Sequence, residues 1–187
     1  MDAFSYLSVL LSIILGLGFT QLFAALGRLV RHRDRVRTHW LPLLWAAVLL
    51  LIYVQVWWSM YGLRLHRDWT FLAFSVLLAQ AAALDLMAAL VLPELVDEAG
   101  VDLGDYFDAQ HRWFFSFFLV LLGISIAKDL ILSGHWPDPT NLGFHGAFAA
   151  VCLAGLVVRG RTAQGVLAVS AAVVVVAYIG LLFAHLR

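Results

Sequence analysis

The chain has 187 residues, 63% of them hydrophobic and 13% charged, with a mean hydropathy of +0.92. Soluble domains are about 45–50% apolar and about 25% charged, so this is the composition of an integral membrane protein with room for a single membrane domain. Zero formal net charge removes any general case for nucleic-acid binding, and one cysteine, Cys152, excludes a disulfide within the chain.

Six segments meet or approach the roughly 20 apolar residues that a transmembrane helix requires. They are 4–27, 41–62, 69–92, 110–133, 141–158 and 163–185, the fifth being short and Gly/Ala-rich. The expected fold is therefore all-α and polytopic, one membrane domain over 1–187.

The first segment opens Met1-Asp2 without a basic region, and its positive charge follows the apolar run. That order argues for a retained helix instead of a cleaved signal. Ser8, Ser12, Gly16, Thr20 and Ala24 recur every fourth residue, which sets them in one stripe where another helix backbone could approach, in the same chain or another copy. Gln21 lies near the inner end of this helix. The loop "RLVRHRDRVRTHW" then carries Arg28, Arg31, Arg33, Arg35 and Arg37.

Pro42 opens the second segment, which carries Gln55 and ends in "QVWWSMYG", an aromatic run suited to the membrane interface. The third holds Gln80 and Asp85 and closes at Pro93. Asp85 is flanked by Ala81 and Ala89 and is too deep for its short side chain to reach either interface, so it needs a partner, a proton or water. The following stretch, residues 94–108, has six acids: Glu94, Asp97, Glu98, Asp102, Asp105 and Asp108. It suits either docking of a cytoplasmic protein or pairing with the arginine loop on the same face.

Lys128, the one lysine beside eleven arginines, sits in the fourth segment next to Asp129. Its stem can reach toward the outer interface, six residues away at Gly134. Asp129 points about 100° away around the helix, and a reaching lysine does not account for it. His145 in the fifth segment stands at the level of Lys128. The remaining histidines fall near the interfaces, which disfavours a haem-type oxidoreductase.

The basic residues set the orientation. Arg28–Arg37 in the first loop and Arg159 and Arg161 in the fifth belong in the cytoplasm by the positive-inside rule, which puts both termini on the other side. The expected location is a bacterial inner (plasma) membrane. At 1.5 Å per residue, Lys128 and Asp129 lie about 10–12 Å outward of the midplane, Gln55 about 6 Å outward and Gln80 near the centre. Asp85 lies about 6 Å inward and Gln21 about 9 Å inward. "SVLLSIILGLGFTQLF" in the first helix echoes "SFFLVLLGISIAKDLI" in the fourth, a weak sign of an inverted 3+3 repeat of the transporter kind.

No phosphate-binding, dinucleotide-binding or zinc-ligand motif occurs, and no catalytic residue, metal or cofactor is assigned. The pattern points to a protein that passes or binds a small ion or polar solute, through Asp85, Lys128, Asp129, Gln21, Gln55, Gln80 and His145. The alternative is a structural or regulatory membrane subunit that engages a partner through its charged cytoplasmic loops. Besides lipid, the partners considered are a second copy of the chain and a cytoplasmic protein at residues 94–108.

Overall fold

The computed structural model describes residues 3–94 and 100–182. It contains six helices long and apolar enough to cross a membrane. They are α1 (Ala3–Arg31), α2 (Trp40–Met60), α3 (Phe71–Val91), α4 (Leu103–Ser133), α5 (Pro139–Val157) and α6 (Arg161–Leu182). A 3-10 turn, Tyr61–Leu65, follows α2, and two short strands, β1 (Val36–Arg37) and β2 (Val101–Asp102), pair in parallel. Asp97 and Glu98, and the end of the expected sixth helix with His185, lie outside the described residues.

Local chemistry explains most boundaries. Thr70 Oγ1 accepts from the Ala73 N–H at 3.1 Å to start α3, and Asp138 Oδ1 accepts from Thr140 and Asn141 N–H at 2.9 and 3.1 Å to start α5, with Pro139 in its first turn. Gly134, at φ 73°, ends α4 in the left-handed conformation that glycine adopts without strain. The largest departure from expectation is the start of α4, at Leu103 instead of 110. Asp102 Oδ1 caps it, accepting from the Gly104 and Asp105 N–H at 2.8 and 3.1 Å. The first two turns are polar on one side and bury Leu103, Gly104 and Phe107 on the other. Hydropathy overlooks them because Asp105 and Asp108 break the apolar run; 31 residues span about 46 Å, longer than the hydrocarbon.

The helices form a ring in the order α1, α3, α4, α5, α6, α2, and α2 also leans inward to touch α3 and α4. Accordingly α2 buries residues on all sides, from Leu41 and Trp45 to Tyr53 and Met60. The halves do not pack equivalently: α1 lies along α3, whereas α4 has no comparable contact with α6 among the described residues. The α1–α3 contact thus has no counterpart among the described residues of the second half.

Within the chain, α1 does not pack by its small residues. Leu11, Leu15, Gly18, Leu22, Ala25 and Leu29 are buried, while Ser12, Gly16, Thr20 and Ala24 are exposed and Ser8 is half-buried. Thr20 Oγ1 donates to the Gly16 carbonyl at 2.7 Å and Ser8 Oγ to that of Ser5 at 3.1 Å. Hydroxyls satisfied inside their own helix can face lipid without penalty, so small size at every fourth position does not by itself select the contact face.

The first, third and fifth connections share one face. The Val101 N–H donates to the Arg35 carbonyl at 3.0 Å beside the strand pair, and Gly100, at φ 83°, passes so close to that carbonyl that a Cβ would stand 2.6 Å from it. Arg161 then binds two acids of α4, Asp108 at 3.0 Å and Asp105. The acids at 102–108 therefore meet an arginine of the fifth connection, and the first joins them through backbone pairing. Gln164 closes the same face by donating to the Gly155 and Val158 carbonyls at 3.1 and 2.8 Å, satisfying the end of α5. The described chain ends, Ala3 and Leu182, lie on the opposite face.

Candidate functional site

Two regions of the bundle interior contrast. Toward the arginine-bearing face the core is solid. Trp45 of α2 meets Phe114, Phe115 and Phe118 of α4 with ring centroids 5.2, 5.3 and 5.9 Å away, and Phe107 lies edge-on beyond at 5.5 Å from Phe114. All five rings are fully buried. Gly155 lets α5 close on this cluster: a Cβ there would stand 2.5 Å from the Phe115 ring.

Above the aromatics, toward the α4–α5 connection, the helices part. An inner pocket of about 130 Å³ lies among α2, α3, α4, α5 and α6, and a wider vestibule of about 550 Å³ extends to the 3-10 turn and the α4–α5 connection. The two share Val56, Gln80, Lys128, Asp129 and Asn141 in their walls. Phe118, Leu121, Phe148, Val174 and Val175 make the apolar floor and side of the pocket.

Its polar side is an ordered network. Asn141, placed in the first turn of α5 by the Asp138 cap, donates from Nδ2 to Asp129 Oδ2 at 3.2 Å and accepts at Oδ1 from the Tyr178 hydroxyl at 3.1 Å. One turn on, His145 Nδ1 lies 2.9 Å from the Asn141 carbonyl, and its Nε2 lies 3.0 Å from Ser125 Oγ. A carbonyl only accepts, so Nδ1 carries the hydrogen and, in the neutral ring, Nε2 accepts from the Ser125 hydroxyl. Asp129 Oδ1 is left to face Lys128 Nζ at 3.8 Å, an ion pair too long for a hydrogen bond.

The consequence is a set of groups with unused capacity. Among the described residues, Lys128 Nζ and the amides of Gln55 and Gln80 make no hydrogen bond, although all three line the pocket and Gln80 is only 6% exposed. Buried polar groups are ordinarily paired. Gln80 is buried while Gln55 and Lys128 are half-buried, so the three open onto the cavity, where water or a ligand can pair them.

Of the residues singled out in the sequence, Lys128, Asp129, Gln55, Gln80 and His145 converge here. The adjacent Lys128 and Asp129 are brought together despite their angular offset. Asp85 and Gln21 line neither cavity. Asp85 accepts a 2.6 Å hydrogen bond from the Tyr53 hydroxyl, and both press against Gly18, where a Cβ would overlap them. Ser125, Asn141 and Tyr178 escaped sequence reasoning, yet a signal for two of them existed. Ser125 and Asp129 on α4, and Asn141 and His145 on α5, are i, i+4 polar pairs on antiparallel neighbours.

No family model, curated protein or solved structure matches the chain.

Proposed function

We propose that the protein binds a small polar solute in this intramembrane pocket, which the solute enters through the vestibule. The observation that carries the proposal is the cavity ringed by an ammonium and two amides without protein hydrogen-bond partners. Such a pocket, mostly apolar with a few convergent polar groups, is the usual form of a ligand site between helices. The solid aromatic layer beneath favours binding over open conduction. Passage across the membrane would require Trp45 and its phenylalanine neighbours to move.

The arginines of the first and fifth connections support a cytoplasmic position for the aromatic end. In a bacterial inner membrane the vestibule then opens on the periplasmic side. Asp85 and Gln21 are not part of this site; the Asp85–Tyr53 bond fastens α3 to α2 at the contact with α1.

Cysteine accessibility tests the proposal. In a Cys152→Ala background, Gln55→Cys and Ser125→Cys should react with a hydrophilic thiol reagent added to the vestibule side, and Phe115→Cys should not. If Gln55→Cys and Ser125→Cys stay unlabelled in folded protein, the pocket is closed to aqueous solutes and the proposal fails.

A further inference from the structure

Resting on the solute-binding reading, we infer that the pocket's ligand is a small zwitterion with a short apolar substituent, the chemistry of a free apolar amino acid. Among the described residues, Lys128 and Asp129 are the only full charges in the inner pocket wall, one of each sign. A simple anion would leave the filled site net negative, and a simple cation net positive. Uncompensated charge is costly away from water. A ligand of zero net charge leaves the site neutral, and of these only one carrying both charges also meets both wall charges, its carboxylate on Lys128 and its ammonium on Asp129.

The open hydrogen-bonding positions agree with that assignment. The Lys128 ammonium has three donors and only a 3.8 Å contact to use them on. Asp129 has one oxygen held by Asn141 and the other engaged only in that long contact, so it can accept from a ligand ammonium. Gln55 and Gln80 each offer both a donor and an acceptor to the same space. Because Asn141 is itself held by Tyr178, the carboxylate is oriented before any ligand arrives.

The other end of the pocket sets the substituent. Phe118, Leu121, Phe144, Phe148, Val174 and Val175 offer nothing to a polar group. An apolar cavity of about 150 Å³ accommodates benzene. The 130 Å³ here therefore takes a substituent of about four carbons, with the charged head at the Lys128–Asp129 wall shared with the vestibule.

Three probes test the inference on the wild-type protein in detergent by titration calorimetry. Leucine has both charges, 4-methylpentanoate lacks the ammonium, and isoamylamine lacks the carboxylate. Leucine should bind saturably, and each analogue should bind about tenfold more weakly or worse, the loss expected for one charged hydrogen-bonding partner. Lys128→Met and Asp129→Asn should each weaken leucine binding by a similar factor, and Asp129→Asn should leave binding of 4-methylpentanoate no weaker. An analogue that binds as tightly as leucine overturns the zwitterion. So does failure of all three probes to bind. If either result is accompanied by normal labelling of Gln55→Cys, solute binding in the pocket survives; if that cysteine is also unreactive, both readings fall.

Discussion

Asp85 and Asp129 are two carboxylates inside the same bundle, and their surroundings differ in one decisive respect. Asp85 meets a tyrosine hydroxyl at 2.6 Å under the backbone of Gly18 and lines neither the pocket nor the vestibule. Asp129 has an asparagine, a loosely held lysine and space. Depth and charge, which are what hydropathy reads, single out Asp85, the deeper of the two. Free volume separates them: the first is a fastening between helices, and the second a group whose valences remain open. If that contrast is right, substitutions at the first junction should damage the fold, and those at the second should spare the fold and change binding.

The largest effect is expected at Gly18. Any side chain there displaces the Asp85 carboxyl and the Tyr53 hydroxyl together. Gly18→Leu should destabilise the protein by about 3 kcal/mol or more, combining overpacking with loss of the bond. Gly16, one of the outward small residues, has nothing within 4 Å of its Cβ position. Gly16→Leu should change stability by less than about 0.5 kcal/mol in detergent. Thermal unfolding of the two variants decides the matter. A Gly16→Leu variant as unstable as Gly18→Leu would mean that the outward stripe is buried against a second copy.

A smaller effect separates the two tyrosines. Tyr53→Phe leaves the Asp85 carboxyl without its partner and should cost about 1–3 kcal/mol. Tyr178→Phe frees Asn141 Oδ1 instead, and a cavity that size can supply a water in its place, so the cost should stay below about 1 kcal/mol. Its consequence belongs to binding, through a less firmly held Asn141 and Asp129. Equal losses of melting temperature would remove the distinction between fastening and site.

How much of this was legible in the sequence follows from the same contrast. Helix number came through because continuous apolar length is a one-dimensional property. The ring order did not, since it depends on which faces interlock, and on α1 the leucines around Gly18 prevailed over the evenly spaced small residues. Lys128, Asp129 and His145 could be placed at one level by counting 1.5 Å per residue. That count could not tell that Gln55 and Gln80 face the same space and Asp85 does not. Asn141, the hub of the network, opens the expected fifth segment, but an asparagine at a helix start reads as an ordinary first-turn residue and not as a pocket group.

A third carboxylate, outside the membrane, shows how a charge behaves where neither close packing nor an enclosed cavity governs it. Asp102 is held below the ordinary carboxylate range, chiefly by the Asp105 N–H it accepts, against an opposing desolvation that the Gly104 N–H, Arg161 and Arg37 together help to outweigh. A carboxylate with a lowered folded value stabilises the fold above its unfolded value, about 3.9, and loses that contribution as pH falls through the folded one. Asp102→Asn keeps a capping oxygen but removes the charge. Wild type should therefore melt slightly above Asp102→Asn at neutral pH, and the difference should shrink below about pH 4 and vanish in stronger acid. The gap should also narrow with added salt, because the arginine contributions cross a solvent-exposed face. A difference unchanged between neutral and strongly acidic pH would show that the Asp102 charge contributes nothing, and that the hydrogen-bonding shape of the cap alone starts α4.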